Sequence, residues 1–189
     1  LLNSWEACYF RYDEERLLKI ARGAKELGAE LFVLDDGWFG RRDDDRSSLG
    51  DWTADPRKLP SGLAALAEKV RALGLGFGLW LEPEAVSPDS DLFRRHPDWA
   101  LALPGRPPAE GRNQLILDLT RPEAAAYAEA AVRAVLEEAK PDYVKWDMNR
   151  PFSRAGGAAP QGELRHRYVL ALYGILRRVT RDHPEILFE

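Results

Sequence analysis

The sequence predicts an α/β fold, in the form of a (β/α)8 TIM barrel of which this chain contains only a part. Short apolar runs alternate with amphipathic helical segments along the 189 residues. Repeated strand–helix units of this kind imply parallel strands joined by right-handed crossovers. No glycine-rich phosphate loop follows the first run, which disfavours an open dinucleotide-binding sheet. The runs end in acidic residues, as is typical of a barrel whose functional groups collect at the carboxyl ends of its strands.

The first elements follow from apolar spacing and capping residues. We interpret the run Trp5–Phe10 as the first strand. Asp13 is a good N-cap for the helix that follows, and Gly28 suits the position just after its end. The continuous apolar stretch Leu31–Leu34 fits a strand that is buried on both faces.

The middle of the chain repeats this pattern with one long interruption. A second helix is predicted from Ser61 to Gly74, and it leads into the third strand, Phe77–Leu81. Residues 85–121 form a long excursion, with a short helix predicted at Asp91–Arg95 and a short apolar segment near Leu115.

The last third contains two further helices. Pro122 suits the first position of a helix, where its missing N–H is not needed. The run Tyr143–Trp146 is the fourth strand, and the spacing of apolar residues predicts a helix around Tyr168 to Val179. Ile186–Phe188 begins a fifth strand, so the chain contains about four strand–helix units and the start of a fifth strand.

The ends and the length indicate an incomplete domain. The chain starts at Leu1 rather than at methionine, and it stops at Glu189 directly after an apolar run. A barrel of this type typically needs about 250 residues. We therefore expect residues 1–189 to form the N-terminal portion of a single catalytic domain.

Composition excludes several classes of protein. The formal net charge is −4 and the charges are mixed, which disfavours nucleic acid and anionic membranes as partners. No apolar run approaches the roughly 18 residues of a membrane span. Cys8 is the only cysteine, so no internal disulfide can form. No signal-peptide pattern is present, and we expect a cytoplasmic location.

Carboxylates at the predicted strand ends are the most informative feature. They are Asp35, Asp36, Glu82, Glu84, Asp147 and Glu189. Lys145 lies two residues before Asp147, so strand alternation places both side chains on one face, and the cation favours the ionised carboxylate. Trp80 and Glu82 share a face for the same reason. A fixed, ionised carboxylate at a barrel mouth is a suitable nucleophile for a glycosyl carbon.

Tryptophans and charge runs add further hints. The six tryptophans include three at or near predicted strand ends, where aromatic walls and acids together would suit a sugar. The alternative for each tryptophan is ordinary core packing. The charged run Arg41–Arg46 is interpreted as a solvated surface in preference to part of a substrate lid, and the three histidines have no metal-ligand spacing.

Five segments in order resemble one enzyme family, the bacterial α-galactosidases of glycoside hydrolase family 36. These segments are Asn3–Ala7, Leu34–Gly40, Gly78–Glu84, Gly111–Leu119 and Tyr143–Arg150. The resemblance implies a retaining hydrolase of terminal α-linked galactose, as in melibiose and raffinose. It implies a small oligosaccharide substrate, no cofactor and no metal, and a full-length protein that is a homo-oligomer with β-rich flanking domains.

The resemblance also implies roles for particular residues. Asp147 matches the catalytic nucleophile of the family. The matched substrate-binding residues are Trp5, Asp35, Asp36, Trp80, Arg112, Lys145 and Asn149, with the two aspartates on the O4 and O6 hydroxyls and the two tryptophans as walls. Glu82 and Glu84 are left with structural or supporting roles. The acid/base aspartate of the family follows the fifth strand, so we expect it beyond Glu189 and expect this chain alone to be inactive on ordinary galactosides.

Three alternatives stay open at the level of sequence. A transglycosylase of the raffinose-synthase type would use the same nucleophile with a sugar as acceptor. A Mg²⁺-dependent barrel enzyme would use Asp35, Glu82 and Asp147 as oxygen ligands. A non-catalytic galactose-binding module would lack the acid altogether.

Overall fold

Five parallel strands form the central sheet of the structure, which is a computed structural model that describes residues 1–152 and 155–189. The strands of this sheet are β1 (Leu2–Asn3), β2 (Leu31–Leu34), β3 (Gly76–Leu81), β6 (Tyr143–Trp146) and β7 (Leu187–Phe188). Two further strands, β4 (Ala85–Val86) and β5 (Leu115–Ile116), form a separate small sheet. The helices are α1 (Trp5–Cys8), α2 (Glu14–Glu26), α3 (Gly62–Ala72), α4 (Asp91–Arg95), α5 (Pro122–Ala139) and α6 (Leu164–Asp182).

The sheet has the order β1-β2-β3-β6-β7, so each strand–helix unit adds its strand beside the previous one. All four neighbouring pairs are parallel, and the register aligns Leu34 with Leu79 and Leu81 with Trp146. The predicted α/β fold with four units and a fifth strand is confirmed. The described residues form an open portion of the sheet and do not close a barrel.

The helices begin where the sequence provides a cap. The Asp13 carboxylate accepts a hydrogen bond from the Arg16 backbone N–H at 2.8 Å, and α2 then buries Leu17, Ala21 and Ala24. Pro122 occupies the first turn of α5, as predicted. Among the residues that the structure describes, no helix combines the length and the apolar character needed to cross a membrane.

The first strand lies earlier than the sequence predicted. The interpretation of Trp5–Phe10 as a strand is wrong, because residues 5–8 form α1 and the parallel strand is Leu2–Asn3. The Asn3 side-chain oxygen accepts a hydrogen bond from the Trp5 backbone N–H at 2.8 Å, which turns the chain out of the sheet. The aromatic run therefore lies above the end of β1, where it can line the mouth of the sheet.

The long excursion after β3 contains a second, small sheet. β4 and β5 pair in antiparallel register, with Ala85 opposite Ile116 and Val86 opposite Leu115. Just before β5, Gly111 and Gln114 exchange two backbone hydrogen bonds across a tight turn. The two residues at its tip, Arg112 and Asn113, have φ values of 51° and 58°. Positive φ at both central positions defines the type I′ class of turn, and this turn directs two polar side chains toward the carboxyl end of the main sheet.

Candidate active site

A cavity of about 180 Å³ lies at the carboxyl ends of the parallel strands. All eight predicted site residues line it, together with five others. The lining residues are Trp5, Phe10, Asp35, Asp36, Arg42, Asp45, Trp80, Glu82, Arg112, Gln114, Lys145, Asp147 and Asn149. The carboxyl ends of β1, β2, β3 and β6 therefore converge on one polar site, as the barrel rule predicts.

Asp35 follows β2 and is fixed by three neighbours. Its carboxylate accepts hydrogen bonds from Lys145 Nζ at 3.0 Å and from Asn3 Nδ2 at 2.5 Å. Its backbone N–H donates to Ser4 Oγ at 3.0 Å. Since Lys145 projects from β6 two strands away, this ion pair connects the two sides of the cavity and holds the Asp35 carboxylate in one position.

Asp36 is held by a buried arginine. The Arg42 guanidinium donates to both carboxylate oxygens, at 2.5 and 2.8 Å, and the two side chains are only 3% and 10% exposed. Burial raises the pKa of Asp36, although the Arg42 cation opposes the rise. Gly37 follows with φ of 103°, and a Cβ there would meet the Phe10 ring at 3.0 Å. The turn after β2 thus needs glycine to bring the aspartate pair under the aromatic residues.

The charged run Arg41–Arg46 is solvated at four of its six residues, as interpreted, and departs from that interpretation at Arg42 and Asp45. Arg42 is buried, lies 5.6 Å from the ring centroids of both Phe10 and Phe39, and donates to the Ser47 carbonyl at 2.7 Å. Asp45 lines the cavity and accepts from Asn113 Nδ2 at 3.1 Å. The buried Asp36 carboxylate accounts for the position of Arg42, because a buried carboxylate is stabilised by a paired cation and this loop supplies it.

Asp147 follows β6 and accepts hydrogen bonds from uncharged donors. The cation expected beside it, Lys145, instead pairs with Asp35. Asp147 Oδ2 accepts from Trp80 Nε1 at 2.9 Å and from Asn149 Nδ2 at 2.8 Å. Its Oδ1 accepts from the Met148 backbone N–H at 2.8 Å. These donors orient the carboxylate without cancelling its negative charge, which is the state that a nucleophile requires.

Glu82 and Glu84 follow β3, and their side chains lie in different surroundings. Glu82 lines the cavity and accepts hydrogen bonds from Asn149 and Gln114, whereas Glu84 accepts from Tyr168 at 2.7 Å and from Trp146 at 3.4 Å. Burial raises the pKa of each carboxyl, and in Glu82 the nearby Asp147 charge adds to the rise. Glu84 thereby connects β3 to α6 in the interior.

The tight turn before β5 completes the rim of the cavity. Arg112 Nη1 donates to the Asn149 side-chain oxygen at 3.0 Å, and the Gln114 amide reaches Glu82 at 2.6 Å. Both contacts cross from the excursion to the ends of the main sheet. They explain why the segment Gly111–Leu119 belongs with the strand-end segments, although it lies far from them in the chain.

Trp5 and Trp80 form aromatic parts of the lining. Trp5 packs edge-on against Tyr9 and Phe10, with ring centroids at 5.1 and 5.0 Å. Trp80 is fully buried and stacks on Phe39 at 6.1 Å with an interplanar angle of 3°. Neither indole serves only as core, because each also contributes to the cavity surface.

The carboxylates of the cavity do not form a metal centre. Within the described part of the chain, no group of three or more His, Cys, Asp or Glu side chains is placed to hold a metal ion. In the magnesium alternative, Asp35, Glu82 and Asp147 would be the ligands. Each of these carboxylates instead faces N–H or ammonium donors that a cation would have to displace.

Sequence reasoning missed five of the residues that line the cavity. It left out Phe10, Arg42, Asp45 and Gln114, and it gave Glu82 only a supporting role. Gln114 carried a usable signal, because it lies in one of the five ordered segments. Arg42 and Asp45 carried none beyond their charge, since their location depends on the path of a loop.

Comparison with known proteins gives one consistent family. The melibiase family profile matches residues 1–189. The α-galactosidase AgaA of Geobacillus stearothermophilus is 55% identical over 193 residues, and the α-galactosidase Mel36A of Lactobacillus acidophilus is 48% identical over 193 residues. Each match covers 100% of this chain and 26% of the relative, so the chain spans about a quarter of the length of these relatives.

Solved structures agree with the sequence matches. A crystal structure of a variant of the same AgaA in complex with raffinose superposes with a TM-score of 0.94 at 54% identity, over 98% of this chain and 26% of that one. The α-galactosidase TtGalA of Thermus thermophilus, in complex with p-nitrophenyl α-D-galactopyranoside, gives a TM-score of 0.72 at 33% identity, over 92% of this chain and 34% of that one.

Proposed function

The chain belongs to the melibiase family, and from this premise we propose that the cavity binds the terminal galactose of an α-galactoside and that Asp147 attacks its anomeric carbon. The observation that carries the proposal is the setting of Asp147. Its carboxylate lies in the cavity with three neutral donors and beside two aspartates that are each paired with a cation.

The proposed reaction proceeds with retention of configuration. An oxygen of Asp147 bonds to the anomeric carbon as the bond to the leaving oxygen breaks, which gives a covalent galactosyl-enzyme. A second carboxylic acid protonates the leaving oxygen and later activates water. The acceptor in the second half is water for hydrolysis, or a sugar for transglycosylation, and the residues of the cavity serve both outcomes.

The resemblance to the family implies an acid/base beyond the fifth strand, so the proposal assigns it to a carboxyl outside residues 1–189. Within the cavity, Asp35 and Asp36 are paired with Lys145 and Arg42, and Glu82 is buried with both oxygens accepting hydrogen bonds. Asp45 accepts a hydrogen bond from the Asn113 side chain. It follows that the 189-residue chain forms the glycosyl-enzyme only with donors whose leaving group needs no proton.

Galactose recognition is assigned to the two strand-end aspartates and the aromatic lining. Asp35 and Asp36 are fixed carboxylates that can accept hydrogen bonds from the axial O4 and from O6, and a charge-assisted hydrogen bond contributes about 1.5–3 kcal/mol. Trp5 and Trp80 offer apolar surface for the C–H face of the sugar. Arg112, Lys145 and Asn149 supply further donors at the rim.

The proposed substrates are raffinose-type oligosaccharides. Variants of AgaA have been crystallised with raffinose and with stachyose. Those complexes concern a protein of which this chain matches about a quarter. We extend the substrate class to this chain because the match includes every residue of its cavity.

A fluorinated α-galactosyl fluoride tests the proposal directly. The anomeric fluoride leaves without a proton, so the wild-type chain should gain the mass of one fluorogalactosyl group on the peptide that contains Asp147. The Asp147→Asn chain should be labelled at least about 10⁴-fold more slowly, since loss of a nucleophile has effects of that order. Melibiose should stay intact with both proteins. Labelling that persists in Asp147→Asn, or that maps to another residue, would contradict the assignment.

A further inference from the structure

We propose that Glu82 is a positioning residue for the nucleophile, which it holds through the side-chain amide of Asn149; this inference rests on the proposed function of Asp147. Glu82 is 1% exposed and lies at the end of β3, while Asp147 lies at the end of β6 on the neighbouring strand. The chain Glu82–Asn149–Asp147 connects the two carboxylates.

Asn149 is fixed by hydrogen bonds on both ends of its side chain. Its Nδ2 donates to Asp147 Oδ2 at 2.8 Å and to Glu82 Oε2 at 3.1 Å, so both amide hydrogens are used. Its Oδ1 accepts from Arg112 at 3.0 Å. A carboxamide with every donor satisfied and its oxygen occupied has only one favourable orientation. That orientation presents a donor, and not an oxygen, to the nucleophile.

Glu82 also fixes the backbone of Asn149. Its Oε1 accepts from the Asn149 backbone N–H at 2.5 Å and from Gln114 Nε2 at 2.6 Å. Three donors are directed at the two oxygens of Glu82, two of them from Asn149 and one from Gln114. Because these contacts hold Asn149 from both its backbone and its side chain, Glu82 is assigned as a positioning residue and not as a second acid.

Glu84 provides a matched comparison two residues further along. It is also buried, at 5% exposed, and its carboxylate accepts from Tyr168 and Trp146. In the described part of the chain, neither partner donates a side-chain hydrogen bond to the Asp147 carboxylate, whose donors are Trp80, Met148 and Asn149. Replacing each glutamate with glutamine therefore removes one buried charge, but only the change at Glu82 alters the environment of Asn149.

Labelling kinetics with the fluorinated α-galactosyl fluoride test the inference. For Glu82→Gln we expect the limiting labelling rate to fall about 10- to 100-fold, the size expected for a charge-assisted hydrogen bond, with little change in the concentration that gives half the limiting rate. Glu84→Gln should label at the wild-type rate. If Glu82 had only a structural role, the substitution would lower the folded fraction, which near-UV circular dichroism measures separately. It would not lower the limiting labelling rate of the folded protein while leaving the half-saturating concentration unchanged.

A double-variant cycle identifies the route. If Glu82 acts through Asn149, the variant Glu82→Gln/Asn149→Ala should label no more slowly than Asn149→Ala. If Glu82→Gln does not fold, Glu82→Asp keeps the charge but shortens the side chain, and it should show the same loss of limiting rate.

Three results would overturn the inference. Undiminished labelling of folded Glu82→Gln, or multiplicative losses in the double variant, would overturn it while leaving Asp147 as the nucleophile. Absence of labelling in the wild-type chain would overturn the proposed function, and the inference with it.

Discussion

The two sides of the cavity use carboxylates in opposite ways. On the cation-paired side, Asp35 meets Lys145 at 3.0 Å and Asp36 meets Arg42 at 2.5 Å. On the neutral-donor side, the donors to Asp147 and Glu82 in the described part of the chain are indole, amide and backbone N–H groups. Both sides use aspartate or glutamate side chains, so the hydrogen-bonding and ionic partners of each carboxylate, and not its residue type, must determine its role.

Electrostatics explain why the carboxylates on the two sides suit different roles. A cation beside a buried carboxylate offsets its desolvation and fixes its direction, which suits a group that accepts hydrogen bonds from sugar hydroxyls. A cation would also compete with an electron-poor carbon for the carboxylate oxygen. Neutral donors orient Asp147 and leave its charge available, so binding is assigned to the cation-paired side and bond formation to the neutral-donor side.

Removing the Arg42 cation from the cation-paired side should produce the largest change in the free energy of unfolding. Arg42→Met leaves Asp36 buried without its partner, and loss of one member of a buried pair costs about 3–5 kcal/mol. We expect the free energy of unfolding in urea to fall by that amount. The matched change Arg94→Met removes an arginine that is 56% exposed and pairs with Asp89 and Asp91 on the surface. Its loss should leave the free energy of unfolding nearly unchanged, because exposed ion pairs contribute little, and equal losses in the two variants would contradict the comparison.

Removing one donor from the neutral-donor side should lower the limiting labelling rate more than it weakens binding of the galactosyl donor. Trp80→Phe deletes the indole N–H that donates to Asp147, and loss of a hydrogen bond to a charged group costs about 1.5–3 kcal/mol. We expect the limiting labelling rate of folded protein to fall accordingly. Trp38→Phe is the control, because this equally buried indole donates to the Trp80 carbonyl at 3.0 Å instead. A similar loss of rate in both variants would mean that packing, and not the donor, is responsible.

The smallest expected effect concerns pH and the glutamate that lies outside the cavity. Burial raises the pKa of Glu84 in the folded chain, so the unfolded chain loses this proton first, near the ordinary value of about 4.3. Between that pH and the raised pKa, the unfolded state binds fewer protons, and the free energy of unfolding falls as the pH rises. Glu84→Gln removes this contribution. The difference in stability, variant minus wild type, should therefore become more positive from about pH 4 upward, and a flat difference in urea titrations would contradict it.

Most of the fold could be predicted because its signals are local. The Asp13 cap, Pro122 at the start of α5 and the apolar run of β2 each act within a few residues, and the structure has the corresponding elements there. The predicted position of the first strand was wrong because the apolar residues of Trp5–Phe10 do not belong to a buried strand. Its rings lie over the mouth of the sheet, and the Asn3 side chain turns the chain before them.

The cavity could be predicted only where residues lie at strand ends. Asp35 and Asp147 stand out as strand-end acids, and strand alternation groups Lys145 with Asp147, whereas the roles of all eight residues came from the resemblance of the ordered segments to the family. Loop residues could not be placed in this way. Arg42 reaches Asp36 because a buried carboxylate needs a cation, and that need becomes visible only when the burial of Asp36 is known.

By itself, the sequence determined the alternation of strands and helices, the acids at the strand ends and the ordered segments of the family. Backbone hydrogen bonding and apolar spacing act over short distances, so these features can be read along the chain. Only the tertiary structure decided which donor faces each carboxylate. Asp35 receives an ammonium from β6, and Asp147 receives an indole N–H from β3, because hydrogen-bond partners are chosen by distance in space across neighbouring strands.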